Sequence, residues 1–171
     1  LPPVEEQRRI ADFLDDQVTR IDAVRKAASD GLDLWAQRQF AAMTQALSNP
    51  LWPKICLSRA LVGGVKDGPH ETPTFLAEGV PFLSVDDISD DRIDWDVSRF
   101  ISSDAHEVYS RRCSPRYGDV LLTKAASVGK VAVVDRREAF NVWSPIAVLR
   151  PDPNLLRPNF LAWLLRSSDL Q

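Results

Sequence analysis

The sequence predicts an α+β protein, with a long coiled-coil-type N-terminal helix followed by a mixed α/β domain built on a twisted sheet. Three observations carry this expectation. From Glu5 to about Leu47 there is no proline and a single glycine, Gly31, and apolar residues recur at helical spacing. Beyond that stretch lie most of the prolines and six of the seven glycines. Between these breakers stand short apolar runs of strand length.

Taken in order, Pro2 and Pro3 precede the helix, and Glu5 and Glu6 sit where acids favour a helix N-terminus. Ser48-Asn49-Pro50 closes it. At a rise of about 1.5 Å per residue the helix would extend about 65 Å, beyond the usual globular length. Its apolar positions form two seams. Leu14, Val18, Ile21, Ala28, Leu32, Trp35, Ala42 and Ala46 follow a seven-residue repeat interrupted by Arg25 and Gln39. Ile10, Phe13, Val24, Ala27, Leu34 and Ala41 form a second stripe beside it. A lone helix cannot bury two seams, so Leu14, Val18, Ile21, Leu32 and Trp35 are expected to pack on partner helices. The competing arrangement is a hairpin of two helices hinged near Ser29-Asp30-Gly31.

The segment 49–171 changes character. Val80–Val85, Val120–Thr123, Val131–Val134 and Ile146–Leu149 read as buried strands of mixed direction. Asn159–Leu165 reads as a helix, with Pro158 near its first turn. No internal repeat is visible.

Composition excludes several classes. With 44% hydrophobic and 26% charged residues the chain is of ordinary globular make-up. No apolar run of about 18 residues is present to span a membrane, and no basic-then-apolar start resembles a secretory signal. Leu1 in place of Met suggests that translation begins upstream. Cys56 and Cys113 have no Cys or His at ligand spacing and read as reduced thiols of a cytosolic protein. His70 and His106 are equally isolated, which disfavours a metal site.

The net charge of −3 argues against coating DNA by bulk charge. The distribution is more informative. Leu76 to Ser110 holds nine acids and two bases, whereas Arg111 to Arg137 holds seven bases (Arg111, Arg112, Arg116, Lys124, Lys130, Arg136, Arg137) and two acids. That asymmetry allows a local positive face, or equally a solvated surface of mixed charge.

Catalytic motifs fail on inspection. Lys124-Ala125-Ala126-Ser127-Val128-Gly129-Lys130 superficially resembles a phosphate loop, but its first glycine is missing and Val131 replaces the magnesium-holding hydroxyl. Asn49-Pro50-Leu51-Trp52 departs by one position from an amino-methyltransferase motif and follows no glycine-rich cofactor turn. Asp86–Asp96 lacks the glycine and closing glutamate of a calcium loop, so its carboxylates read as solvated. No Ser–His–acid set stands out.

Three segments remain: Leu1-Pro2-Pro3-Val4-Glu5-Glu6-Gln7 running into the helix; Asp67-Gly68-Pro69-His70-Glu71-Thr72-Pro73 with Gly79-Val80-Pro81-Phe82; and Gly118-Asp119-Val120-Leu121-Leu122. In this order they resemble the specificity subunits of type I restriction–modification systems, over nearly the whole chain. The resemblance implies a spacer helix at 1–48, with the tail of a preceding recognition domain at 1–4, and a target recognition domain at 49–171 that ends before its expected finish. It implies a subunit without catalysis or cofactor of its own. Double-stranded DNA, a methyltransferase subunit and a restriction subunit would be its partners, and those subunits would bind S-adenosylmethionine, ATP and magnesium. A second copy of the chain is a further candidate partner through the long helix. Ala126 departs from the glycine common in the family.

The residues fit such a role. Lys66, Lys124 and Lys130 are candidates to neutralise phosphates, and Asp67–Pro69 and Ser127–Gly129 are loops of small residues that let backbone approach one. Arg111, Arg112 and Arg116 are candidate base readers, with salt bridging to the preceding acidic stretch as the alternative. His70, Thr72 and Ser127 complete the candidate DNA-binding set, although His70 is better suited to holding its own turn. The competing function is a non-catalytic scaffold that oligomerises through the long helix.

Overall fold

A computed structural model describes residues 2–47, 51–89, 91–96, 99–125 and 128–167. The chain divides into two compact units, Leu1–Ser48 and Asn49–Gln171.

The first unit is a single helix, α1, Val4–Leu47, of 44 residues. Gln7 opens it by donating its backbone N–H to Pro3 and its side-chain amide to Pro2. Arg9 grips Glu6 one turn back through two hydrogen bonds. The helix runs unbroken through Gly31, so the hairpin alternative is excluded. Leu14, Val18, Ile21, Leu32 and Trp35 are all more than half exposed, between 53% and 68%. The proposed closing residues Ser48-Asn49-Pro50 lie outside the described residues.

The second unit carries two sheets where one was expected. Strands β1 (Leu61–Asp67), β7 (Ile146–Pro151), β4 (Val120–Thr123) and β5 (Val131–Val133) lie in that spatial order, all antiparallel. The smaller sheet orders β3 (Phe100–Ile101), β2 (Val80–Leu83) and β6 (Asn141–Val142), with β2 antiparallel to β3 and parallel to β6. Helix α2 spans Ser103–Arg112 and α3 spans Pro158–Arg166.

Strands β4, β5 and β7 are largely buried on both faces, which explains why they read as continuous apolar runs although their pairing is antiparallel, whereas the edge strand β1 is mostly exposed. Leu121, Ala132 and Val148 pack with Leu83, Phe140 and Val142 of the smaller sheet and its flanking loop. The alternate residues Val120, Val131, Ala147 and Leu149 pack under Leu161, Ala162 and Leu165 of α3. The two-residue side-chain period of strands sorts these neighbours into separate cores.

Two elements lack an apolar signature. In β1, Gly63 and Gly64 take positive φ of 72° and 69°, and the register to β7 slips between Leu61 and Val65. In α2 no residue is buried; Ser102 accepts the Ala105 N–H at 3.2 Å as a helix cap. The carboxylates of the acidic stretch are not all solvated. Asp87 accepts the Ser84 N–H at 2.6 Å and an Arg99 bond at 3.1 Å, closing the turn after β2.

Candidate nucleic-acid interface

Strand β1 ends at Asp67, and the following turn is seated on the smaller sheet. A Cβ on Gly68 would overlap the Val142 carbonyl, so only glycine lets the two backbones meet here. Ser144 donates its N–H to the Pro69 carbonyl at 3.2 Å, and Lys124 donates its own to Pro145 at 2.7 Å. Beneath the turn, the rings of Phe75, Tyr109 and Trp143 surround buried Phe82 at centroid distances of 5.8, 6.4 and 6.2 Å.

The Asp67 carboxylate gathers side chains from three elements. Arg112, in the last turn of α2, donates Nη2 to Oδ1 at 2.7 Å. Lys124, just past β4, donates Nζ to Oδ2 at 2.9 Å. His70 places Nε2 3.1 Å from Arg112 Nη2 and 3.8 Å from Asp67 Oδ2. The guanidinium can only donate, so in the contact with Arg112 the acceptor is His70 Nε2. The hydrogen bond from Lys124, opposed by partial burial and reinforced by Arg112, holds the Asp67 carboxyl below its ordinary value.

Helix α2 is fixed twice more, once to this turn and once to β6. Tyr109 donates its hydroxyl to Glu71 at 3.2 Å. His106 sits with Nδ1 2.6 Å from Oδ1 of buried Asn141, and Ser110 stands 3.3 Å from the same nitrogen. His106 therefore locks α2 to β6. No group of acids, histidines and cysteines among the described residues is arranged to hold one.

Of the sequence candidates, His70, Arg112 and Lys124 are brought together. Lys66, Thr72 and Arg111 are exposed near them in the chain, and no described contact joins them to Asp67. Lys130 immediately precedes β5, the return strand of the β4–β5 hairpin, and its N–H donates to the Thr123 hydroxyl at 3.0 Å. Ser127 lies outside the described residues. Arg112 pairs with Asp67 rather than with the acidic stretch before it, and the Arg116 backbone N–H donates to Asp119 at 2.8 Å. Arg136 and Arg137 stack instead over Trp95 and Tyr117, at 4.6 and 4.8 Å. The basic residues of 111–137 are thus dispersed. What the charge count did not name is Asp67, whose signal is its place at the head of the Asp-Gly-Pro-His turn.

The chain matches no protein-family model. Over an alignment covering 98% of its length it is 24% identical to the type I restriction enzyme EcoBI specificity subunit of Escherichia coli, of which it covers 43%. The crystal structure of the HsdS subunit from Thermoanaerobacter tengcongensis shares its fold, with a TM-score of 0.56 and 24% identity over 97% of this chain and 41% of that one. A structure described as the basis of complex assembly and conformational transition of the type I R-M system gives a TM-score of 0.55 and 26% identity over 96% and 41%. The chain thus spans less than half the length of each of these proteins.

Proposed function

We propose that this chain, related to the type I specificity subunits over nearly all its length, is the part of such a subunit that recognises one element of a double-stranded DNA target. In this reading residues 49–171 are a target recognition domain and residues 1–48 a spacer helix. The assembled subunit directs methyltransferase and restriction subunits to the site and performs neither reaction. S-adenosylmethionine, ATP and magnesium belong to those subunits, and a cytoplasmic location follows.

One observation supports this reading above the others. The Asp-Gly-Pro-His-Glu-Thr-Pro turn that carries the family likeness is where Arg112 and Lys124 converge from distant positions on Asp67, beside His70 of the turn itself. Cations fixed on a rigid turn provide the phosphate contacts that set register, leaving neighbouring exposed residues such as Arg111 and Thr72 to meet base edges. The test is selection from a random duplex pool by the full specificity subunit assembled with its methyltransferase. Enrichment of a defined bipartite sequence, with affinity falling steeply as salt rises, is expected. Absent or salt-independent binding defeats the proposal.

The spacer assignment draws support from the exposed seam on α1. Leu14, Val18, Ile21, Leu32 and Trp35 are assigned to contacts with partner helices, whether in the longer subunit, its methyltransferase or a second copy. Ile21→Asp with Leu32→Asp should abolish co-purification with those partners while DNA contacts in residues 49–171 remain. Undiminished assembly would exclude this face.

A further inference from the structure

We infer that Asp67 is a positioning residue that holds Arg112 and Lys124 together as one preformed receptor for a single DNA backbone phosphate. The inference rests on the DNA-recognition reading above and adds what the cations alone do not explain, namely a carboxylate at the centre of a face meant for a polyanion.

The layering points this way. The Asp67 side chain is 22% exposed, whereas Arg112 and Lys124 are 55% and 41% exposed. The carboxylate therefore lies beneath and the two cations lie over it. Each cation spends few donors inward: Nη2 of the five guanidinium N–H groups goes to Asp67 and His70, and one lysine bond goes to Asp67. Among the described residues the remaining donors of these half-exposed side chains meet no partner. Arg112 and Lys124 lie 45 and 57 residues from Asp67 in sequence, and its carboxylate is the group that both side chains meet. Long basic side chains lose rotamer freedom on binding, and fixing them in advance removes that loss from the encounter. The Asp67 oxygens take one cation each, so both cations are held to a single carboxylate by charge-assisted hydrogen bonds.

Simple electrostatics and positioning predict opposite signs. Removing a negative charge from a DNA-binding face should tighten binding. Positioning requires Asp67→Asn to weaken it. In the assembled methyltransferase complex, with folding followed by circular dichroism, Asp67→Asn should bind target DNA about tenfold more weakly, with a log K against log salt slope shallower by about one. In an Arg112→Gln/Lys124→Gln background the same change should be neutral or tightening, because nothing is left to position. Equal or tighter binding by Asp67→Asn alone overturns the inference. So does a loss at unchanged salt slope, which marks a merely structural role. If Asp67→Asn does not fold, the exposed single changes Arg112→Gln and Lys124→Gln decide. One receptor means that the double variant loses scarcely more than either single, and losses that multiply overturn it. Failure of the unaltered complex to bind DNA sinks the DNA reading itself, a result distinct from all of these.

Discussion

Arg150 donates Nε and Nη2 to the two carboxylate oxygens of Asp119, at 2.8 and 2.7 Å, and Asp119 is only 1% exposed. The same carboxylate accepts the Arg116 N–H at 2.8 Å, and Arg150 donates also to the Ser114 carbonyl at 2.9 Å. The pair thus ties β7 to the segment that leads from α2 into β4. Breaking it from one side strands a buried charge, which costs about 3 kcal/mol or more. Arg150→Met should lower the urea midpoint accordingly, and a loss below about 1 kcal/mol would refute the role.

At Gly68 the obstacle is backbone rather than side chain. Alanine there would meet the Val142 carbonyl, so the turn must lift away from β6. Gly68→Ala should destabilise by about 1–3 kcal/mol. Because Asp67 is adjacent, it should also weaken DNA binding by the assembled complex. A variant as stable and as active as the parent chain would show that the contact is dispensable.

The two thiols should differ sharply in labelling. Cys56 is exposed, and the hydrogen bond from Ser58 at 3.4 Å pulls its pKa below the ordinary 9.0. Burial, with the nearby Asp119 charge, pushes Cys113 up to about 11. Since the thiolate is the nucleophile, a maleimide at pH 7.5 should modify Cys56 rapidly and Cys113 only after unfolding. Two equivalents of fast label on native protein would contradict the packing of Cys113 in the core between the sheets.

Acid should spare the Asp67 cluster until late. Its carboxyl is held below the ordinary 3.8, so the stabilisation it brings is fully present above that value. It is lost as pH falls through the lower native pKa. Asp67→Asn should therefore lower stability at pH 7 and lower it less at pH 2, below the ordinary value, where part of the carboxylate's contribution is already lost. An equal loss at both pH values would mean that the effect is not electrostatic.

Much of this architecture is legible in the residues. The absence of proline and the apolar spacing of Glu5–Leu47 announce α1. Val120–Thr123 and Ile146–Leu149 announce strands because both faces of each are largely buried, so every position but Thr123 is apolar. Helix α2 escapes because it buries no residue: its local signals are confined to its ends, the Ser102 cap, Asp104 in the first turn, and Arg111 and Arg112 in the last. Strand β1 escapes because Gly63 and Gly64 read as a turn, whereas in the sheet they form its bulge. Within the site, His70, Arg112 and Lys124 could each be nominated from type and motif, but their convergence on one carboxylate could not.

By itself, then, the sequence determined what depends on neighbours along the chain: the long helix with its apolar seams, the buried strands, and the order of motifs that marks the family. The tertiary structure alone decided that β1, α2 and the end of β4 meet at Asp67, and that the remaining arginines of 111–137 disperse to other partners. The physical reason is range. Hydrophobic periodicity is written into successive residues, whereas an ion pair spanning 57 residues exists only once the sheet order β1-β7-β4-β5 has brought its halves together.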